Sequence, residues 1–380
     1  MLTEILALFP NSYEQSRIRF LQSFDLIKMY WSNARRYRYP LSNFDELSID
    51  WIQADAIERT EKVLIFTTGE HGIEGYVGSA MLQRFIEIYL SRFNPVDTGL
   101  LLVHSINPWG MQTKRRTNPN NVDLNRNFVA DENSLDPSFN PSYTELDKIL
   151  NLKEPVQSYG TANVKFLIDL AGHLKIESWE QLRATWLLGQ YRHPQGIHFG
   201  GNCIQEETQV LKGLYRQAFK GYRQILHLDM HTGYGPRYQM SLVNSVHEDC
   251  PSDEWMRKFD YPLVVAANPE EFYTISGDMI DYVYALRDRN FSGKRLYATS
   301  FEFGTFGEKI IDRLRTLRAL VFENQMYWNG SVSARTRARI KGEFEELFYP
   351  SEAKWRAKAI ADADQAFEGI LRAEGFFYGT

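Results

Sequence analysis

A chain of 380 residues, 43% hydrophobic and with 24 Phe, 21 Tyr and 8 Trp, has the material for a large core. It exceeds the usual single-domain size, although α/β enzymes of this length often share one sheet. A formal net charge of -5 gives no electrostatic case for nucleic acid or an anionic membrane as partner. Cys203 and Cys250, the only cysteines, exclude a disulfide framework and a four-cysteine metal site and fit a reducing compartment. No window approaches about 18 unbroken apolar residues, so no membrane span is expected. Residues 1–10 lack the basic start of a signal peptide. The expectation is a cytoplasmic protein.

Residues 11–37 read as a helix, with Ser12 as cap and Ile18, Phe20, Leu21, Phe24 and Ile27 on its apolar face. Asp45 to Ala54 alternates and reads as an edge strand, and Val63 to Thr68 as a buried one. The glycine-studded segment 69–75 turns the chain into a helix that runs to Leu90. A strand at 100–105 completes a βαβ unit, which implies a parallel core. Ile106 to Gly110 reads as a turn. Residues 111–128 have neither helical nor strand period, and their three arginines and five asparagines suggest a solvated loop. Helices are expected at 143–151, 161–174, 178–189 and 205–220. A loop between the last two holds His193 and His198, read as ordinary loop histidines. Strands follow at 225–231, 263–267 and 297–304, with a short helix through Tyr284 before the last. Helices at 306–328 and 351–373 end the chain, the tail packing across the sheet. Together these make a three-layer α/β/α fold around a mixed, largely parallel sheet. One domain, 1–380, is expected, with an insertion at about 130–222 and a helical extension from about 310.

Four strand ends carry polar chemistry. His71 and Glu74 lie three residues apart on a kinked loop at a strand's C-terminal end, where open α/β sheets place their ligands. One nitrogen and one oxygen donor there suit zinc, with a further ligand needed from elsewhere. His231 ends the strand on which His227 and Asp229 share its face. Two histidines and a glutamate leave the fourth position of zinc for water, whose pKa the ion lowers toward about 7. A carboxylate must then take the water's proton, and Glu302, at the end of an apolar strand, is the candidate general base.

The order and form of these motifs resemble the zinc carboxypeptidase superfamily, in a poorly characterised bacterial branch of unknown function. His71-x-x-Glu74 is similar to the family's first metal motif, and His231 to its third ligand. Asn107-Pro108-Trp109-Gly110 is similar to the Asn-Pro-Asp-Gly turn, with Trp109 as a departure, and Val122 to Asn127 to a family signature. The resemblance implies that Asn125 and Arg126 grip a substrate carboxylate. It also implies that Asp123 orients His71, and that Arg116, or alternatively Arg115, polarises the scissile carbonyl. Tyr284 would close over the substrate, and Glu302 would be the base. The motifs span about 71 to 304, and Gly189-Gln190-Tyr191 with His193-Pro194 looks typical of the branch. Arg287, Arg289 and Arg295 suggest an acidic substrate side chain.

The implied function is a carboxypeptidase-like metallopeptidase: a hydrolase of amide bonds with one Zn2+ per chain. Its substrate would be a peptide or small N-acyl amino acid with a free carboxylate. Two alternatives stand beside it. One is a deacylase of the aspartoacylase and succinylglutamate desuccinylase kind, the other a non-catalytic metal-binding protein.

Overall fold

The computed structural model describes residues 2–175, 177–267 and 275–378. In chain order its strands are β1 (Arg35–Leu41), β2 (Phe44–Ala54), β3 (Lys62–Thr68), β4 (Thr98–His104), β5 (Gln224–Thr232), β6 (Met240–Asn244), β7 (Val264–Ala266) and β8 (Arg295–Phe303). The helices begin with α1 (Leu2–Ala7), α2 (Tyr13–Tyr30), α3 (Gly75–Ile88) and α4 (Pro108–Thr113). Next come α5 (Pro141–Leu150), α6 (Tyr159–His173), α7 (Trp179–Leu188), α8 (Glu206–Gly221) and α9 (Ser252–Phe259). The last are α10 (Met279–Asn290), α11 (Ile310–Asn329), α12 (Ala334–Phe348) and α13 (Ala353–Ala373). The eight strands form one sheet in the order β1-β2-β4-β3-β5-β8-β6-β7.

The four central strands, β4, β3, β5 and β8, are mutually parallel, while β2 and β6 flank them antiparallel. Both faces are covered, as a parallel core requires. One face carries Leu64, Phe66, Leu226, Leu228 and Phe301, which pack with α2, α3, α9 and α13. The opposite face carries Val63, Ile65, Val103 and Ile225, packed with α8 and α10. This is a three-layer α/β/α fold with a mixed, largely parallel sheet.

Several elements differ from the sequence reading. Ser12 does cap α2, accepting a bond from the Gln15 amide, but the helix stops at Tyr30. Arg35–Leu41 then pairs antiparallel with β2 as the edge strand, so β2 lies one place inside the edge. An edge strand exposing arginines has no apolar alternation to betray it, and charge there discourages strand addition by another chain. Residues 108–113, read as a turn and loop, form α4, because Asn107 caps it through Gly110 and Pro108 suits its first turn. The short strand β6 and the helices α1, α9 and α12 have no counterpart among the expected elements.

Helices α5, α6 and α7 do not touch the sheet as a layer. They pack with α11 and α12 around a third cluster that includes Trp186, Phe322 and Phe348. Residues 141–188 and 310–348 thus cover one another, and Phe348 reaches the end of β5, where its carbonyl accepts from the Thr232 hydroxyl. The tail reaches the sheet through α13, whose Phe367 ring lies 5.8 Å from Phe66 and 5.2 Å from Phe301.

A candidate metal centre at three adjacent strand ends

Strands β3, β5 and β8 are neighbours, and their C-terminal ends deliver the chemistry to one place. After β3, Gly69 adopts φ +67° and the chain turns through a 3-10 step at Gly72–Glu74 into α3. That turn is docked on the segment that follows α4: the Gly72 and Ile73 amides donate to the carbonyls of Arg116 and Arg115 at 3.1 and 2.9 Å. A Cβ on Gly72 would stand 2.0 Å from the backbone carbon of Gly110, so only glycine permits this approach. The same docking places the Arg116 side chain beside His71 and Glu74. On β5 and β8, His231 and Glu302 are register partners, side by side on one sheet face.

Three donors converge. His71 Nδ1 lies 2.9 Å from Glu74 Oε1, His231 Nδ1 3.2 Å from Glu74 Oε2, and the two Nδ1 atoms are 3.3 Å apart. Ligands about 2.0–2.1 Å from a tetrahedral zinc are separated by about 3.3 Å, so these spacings suit one small cation. The far nitrogens are held from behind. His71 Nε2 meets Asp123 Oδ1 at 2.9 Å, and His231 Nε2 meets Asp229 Oδ2 at 2.5 Å. A carboxylate oxygen accepts, so both Nε2 atoms carry hydrogen and both Nδ1 atoms turn inward, where a neutral ring presents its lone pair, the carboxylate–histidine–metal arrangement.

The surroundings are short of positive charge. Burial works against a charged His231, yet Asp229 and Glu74 outweigh it and hold the imidazole well above its ordinary range. Burial also works against ionised Glu74, but His71, His231 and Arg116 carry it well below the usual carboxylate range. The centre therefore favours an ionised carboxylate with positive charge beside it. A divalent cation meets that demand with the donor set that zinc prefers.

Glu302 faces the same cavity as His71, Glu74, Arg116, Asn125, His231 and Tyr234. Its Oε1 accepts from the Tyr234 amide at 3.0 Å, which fixes the carboxylate. Burial, helped by the negative charge of Glu74, pushes its pKa up to about 8.

The chain matches the family model described as "Protein of unknown function (DUF2817)" over residues 9–362. It belongs to that family. No curated protein matches this DUF2817 chain in sequence. Among solved structures it is similar to bovine thrombin-activatable fibrinolysis inhibitor in complex with tick carboxypeptidase inhibitor. That match has 11% identity and a TM-score of 0.46, covering 92% of this chain and 99% of the other. It is similar also to carboxypeptidase A from Helicoverpa armigera, with 13% identity, a TM-score of 0.45 and coverage of 90% and 75%. A third is a succinylglutamate desuccinylase from Silicibacter, with 14% identity, a TM-score of 0.36 and coverage of 83% and 65%.

Other residues singled out from the sequence are distributed unevenly in this DUF2817 chain. The 111–128 segment is not a solvated loop: Arg115, Arg116, Asn118, Asp123, Asn125, Arg126 and Asn127 are all buried. Arg116 donates to Glu74 Oε1 at 2.7 Å and to Asp123 Oδ2 at 3.2 Å, at the cavity wall. Arg115 points elsewhere, pairing with Glu323 at 2.9 Å and lying over the Tyr327 ring. Asn125 reaches the cavity, with its amide bonded to Asp278 and its oxygen to the Met279 amide. Arg126 does not line the cavity; its guanidinium donates to the backbone carbonyls of Asn125 and Leu187. Tyr284 is also absent from the wall: it lies on the buried face of α10 and its hydroxyl donates to Glu248 at 2.6 Å. Of the arginines expected near a specificity pocket, Arg287 pairs with Asp288 and Arg295 with Glu374, while Arg289 lines a separate cavity with Asp278 and Asp281.

Sequence reasoning missed Tyr234, Ser245, Asp278 and Ser300, all on the cavity wall. Ser300 was within reach of it, being two residues before Glu302 on one strand. Glu70, next to His71 in the chain, is fully buried and 3.4 Å from His231 Nε2, a carboxylate that no periodicity could have flagged.

Proposed function

We propose that this DUF2817 chain is a zinc-dependent hydrolase of amide bonds, with one Zn2+ held by His71, Glu74 and His231. The observation that carries the reading is the convergence of those inward-facing donors next to a fixed carboxylate, Glu302, on the adjoining strand. When bound, zinc would supply a water of lowered pKa and polarise a carbonyl group. Glu302 takes the proton of the attacking water and passes it to the leaving nitrogen. Its raised pKa suits a group that must first accept and then donate near neutrality. Arg116, at the cavity wall, offers positive charge where an oxyanion develops. Asp123 and Asp229 keep the two imidazoles in the required tautomer.

The substrate is an amide: a peptide or a small N-acyl amino acid. Arg126 stands behind the wall, not on it, which weakens the carboxypeptidase form in which an arginine anchors a terminal carboxylate. A deacylase of N-acyl amino acids, the second reading, also handles a substrate with a free carboxylate, so the placement of Arg126 does not choose between the two. Hydrolysis of N-acyl amino acids without hydrolysis of C-terminally varied peptides selects the deacylase. For the shared chemistry the decisive variant is Glu302→Gln. Its zinc content by mass spectrometry stays that of the wild type, while turnover on the best substrate of that screen falls by about 10²–10⁴-fold. Undiminished turnover would sink the proposal.

A further inference from the structure

Asp123 is bonded on both oxygens. Oδ1 accepts from His71 Nε2, while Oδ2 meets His198 Nδ1 at 2.9 Å and Arg116 Nε at 3.2 Å. The main chain repeats the grip, since the Asp123 amide donates to the Phe199 carbonyl at 2.8 Å. His198 is buried, with its ring 5.6 Å from that of Trp186. Its φ is +52°, a left-handed conformation that a residue with a Cβ adopts at a cost and keeps only where its surroundings over-determine it. Its other nitrogen, Nε2, has no hydrogen-bond partner among the described residues. A ring that leaves one nitrogen unsatisfied and strains its backbone is held there for the bond its Nδ1 makes.

We infer that His198 is a positioning residue for the metal centre: its Nδ1–H holds the Asp123 carboxylate turned toward His71. This rests on the proposed metal site. Since Arg116 is shared between Asp123 and Glu74, it does not fix the carboxylate alone. Without His198, Asp123 turns toward the guanidinium and Oδ1 leaves His71, whose tautomer is then no longer set. The segment Trp186–Phe199 lies in the insertion, so the insertion becomes part of the machinery that orients the first ligand.

Two substitutions separate this role from a packing one, because both tolerate the left-handed backbone. His198→Asn keeps an N–H donor near the position of Nδ1, and His198→Gly removes it. Zinc affinity is measured by competition with a chromogenic chelator, and the His71 tautomer by 15N shifts in the metal-free proteins. His198→Gly weakens zinc by about 10- to 100-fold and mixes the His71 tautomers, whereas His198→Asn stays within about threefold of wild type with Nε2–H retained. Equal affinities and shifts in all three proteins, or equal losses in both variants, overturn the inference. If the wild type binds no zinc, the metal reading fails and the His71 shifts still decide the positioning role. Should His198→Gly not fold, the wild type suffices: a His198 ring protonated at Nε2 instead of Nδ1 also overturns it.

Discussion

The side chains at the centre act through bonds that leave little freedom. Glu74 spans both histidines, accepts from Arg116, and takes the Thr232 amide on Oε2 at 2.9 Å. Asp229 is braced in turn by the Thr67 hydroxyl at 2.6 Å, which itself meets His227 Nε2 at 2.8 Å. Tyr284 belongs to a different set, since its hydroxyl serves Glu248 and its ring serves the core. Tyr284→Phe should therefore leave zinc affinity and KM unchanged while lowering stability by about 1 kcal/mol, read from urea unfolding. A large rise in KM would instead return the residue to the substrate-closing role implied by the resemblance.

The elements explain why the centre sits where it does. Parallel strands β3, β5 and β8 end together, so residues far apart in the chain share one rim. Their opposite face is held by α13, where the rings of Phe66, Phe85, Tyr89 and Phe301 all lie within 5.8 Å of Phe367. Phe367→Ala removes the centre of that cluster and leaves a cavity. The expected loss is about 3–5 kcal/mol by denaturant titration, with the metal donors untouched. A loss under about 1 kcal/mol would mean that α13 contributes little to the sheet.

At the scale of the molecule, buried histidines make stability depend on acid. His104 is enclosed among Ser16, Phe20 and Tyr13, away from the centre, and burial together with Arg17 and Arg19 lowers its pKa to about 3. The unfolded chain takes up this proton near about pH 6.5, so the contribution is complete above that pH. It is lost as pH falls toward the folded value. Buried acids oppose the trend, with Asp281 and Glu207 both pushed up to about 7 by burial. The difference between wild type and His104→Gln isolates the histidine. Between pH 7 and 5 the wild type should lose about 2 kcal/mol more than the variant. Parallel stability curves would show that His104 titrates alike in the folded and the unfolded chain.

Much of this architecture was legible in local pattern. The βαβ unit, the strand ending at His231 and the helices between Pro141 and Gly221 are written in apolar spacing, and glycines mark the turn that carries His71 and Glu74. What the chain could not reveal alone is how separate segments meet. The 111–128 segment has no period because its polar side chains are buried against one another and against distant partners such as Glu207, Asp278 and Glu323, which only the tertiary fold brings near. β1 is a strand because β2 offers its edge, not through its own residues. The sequence determined which donors exist. The parallel register of β5 and β8, and the docking of the Gly72 turn on the arginine segment, decided which of them face one cavity. Arg126 was turned away by the carbonyl of Leu187 and Tyr284 by the half-buried Glu248, long-range contacts that leave no trace in the linear spacing of residues.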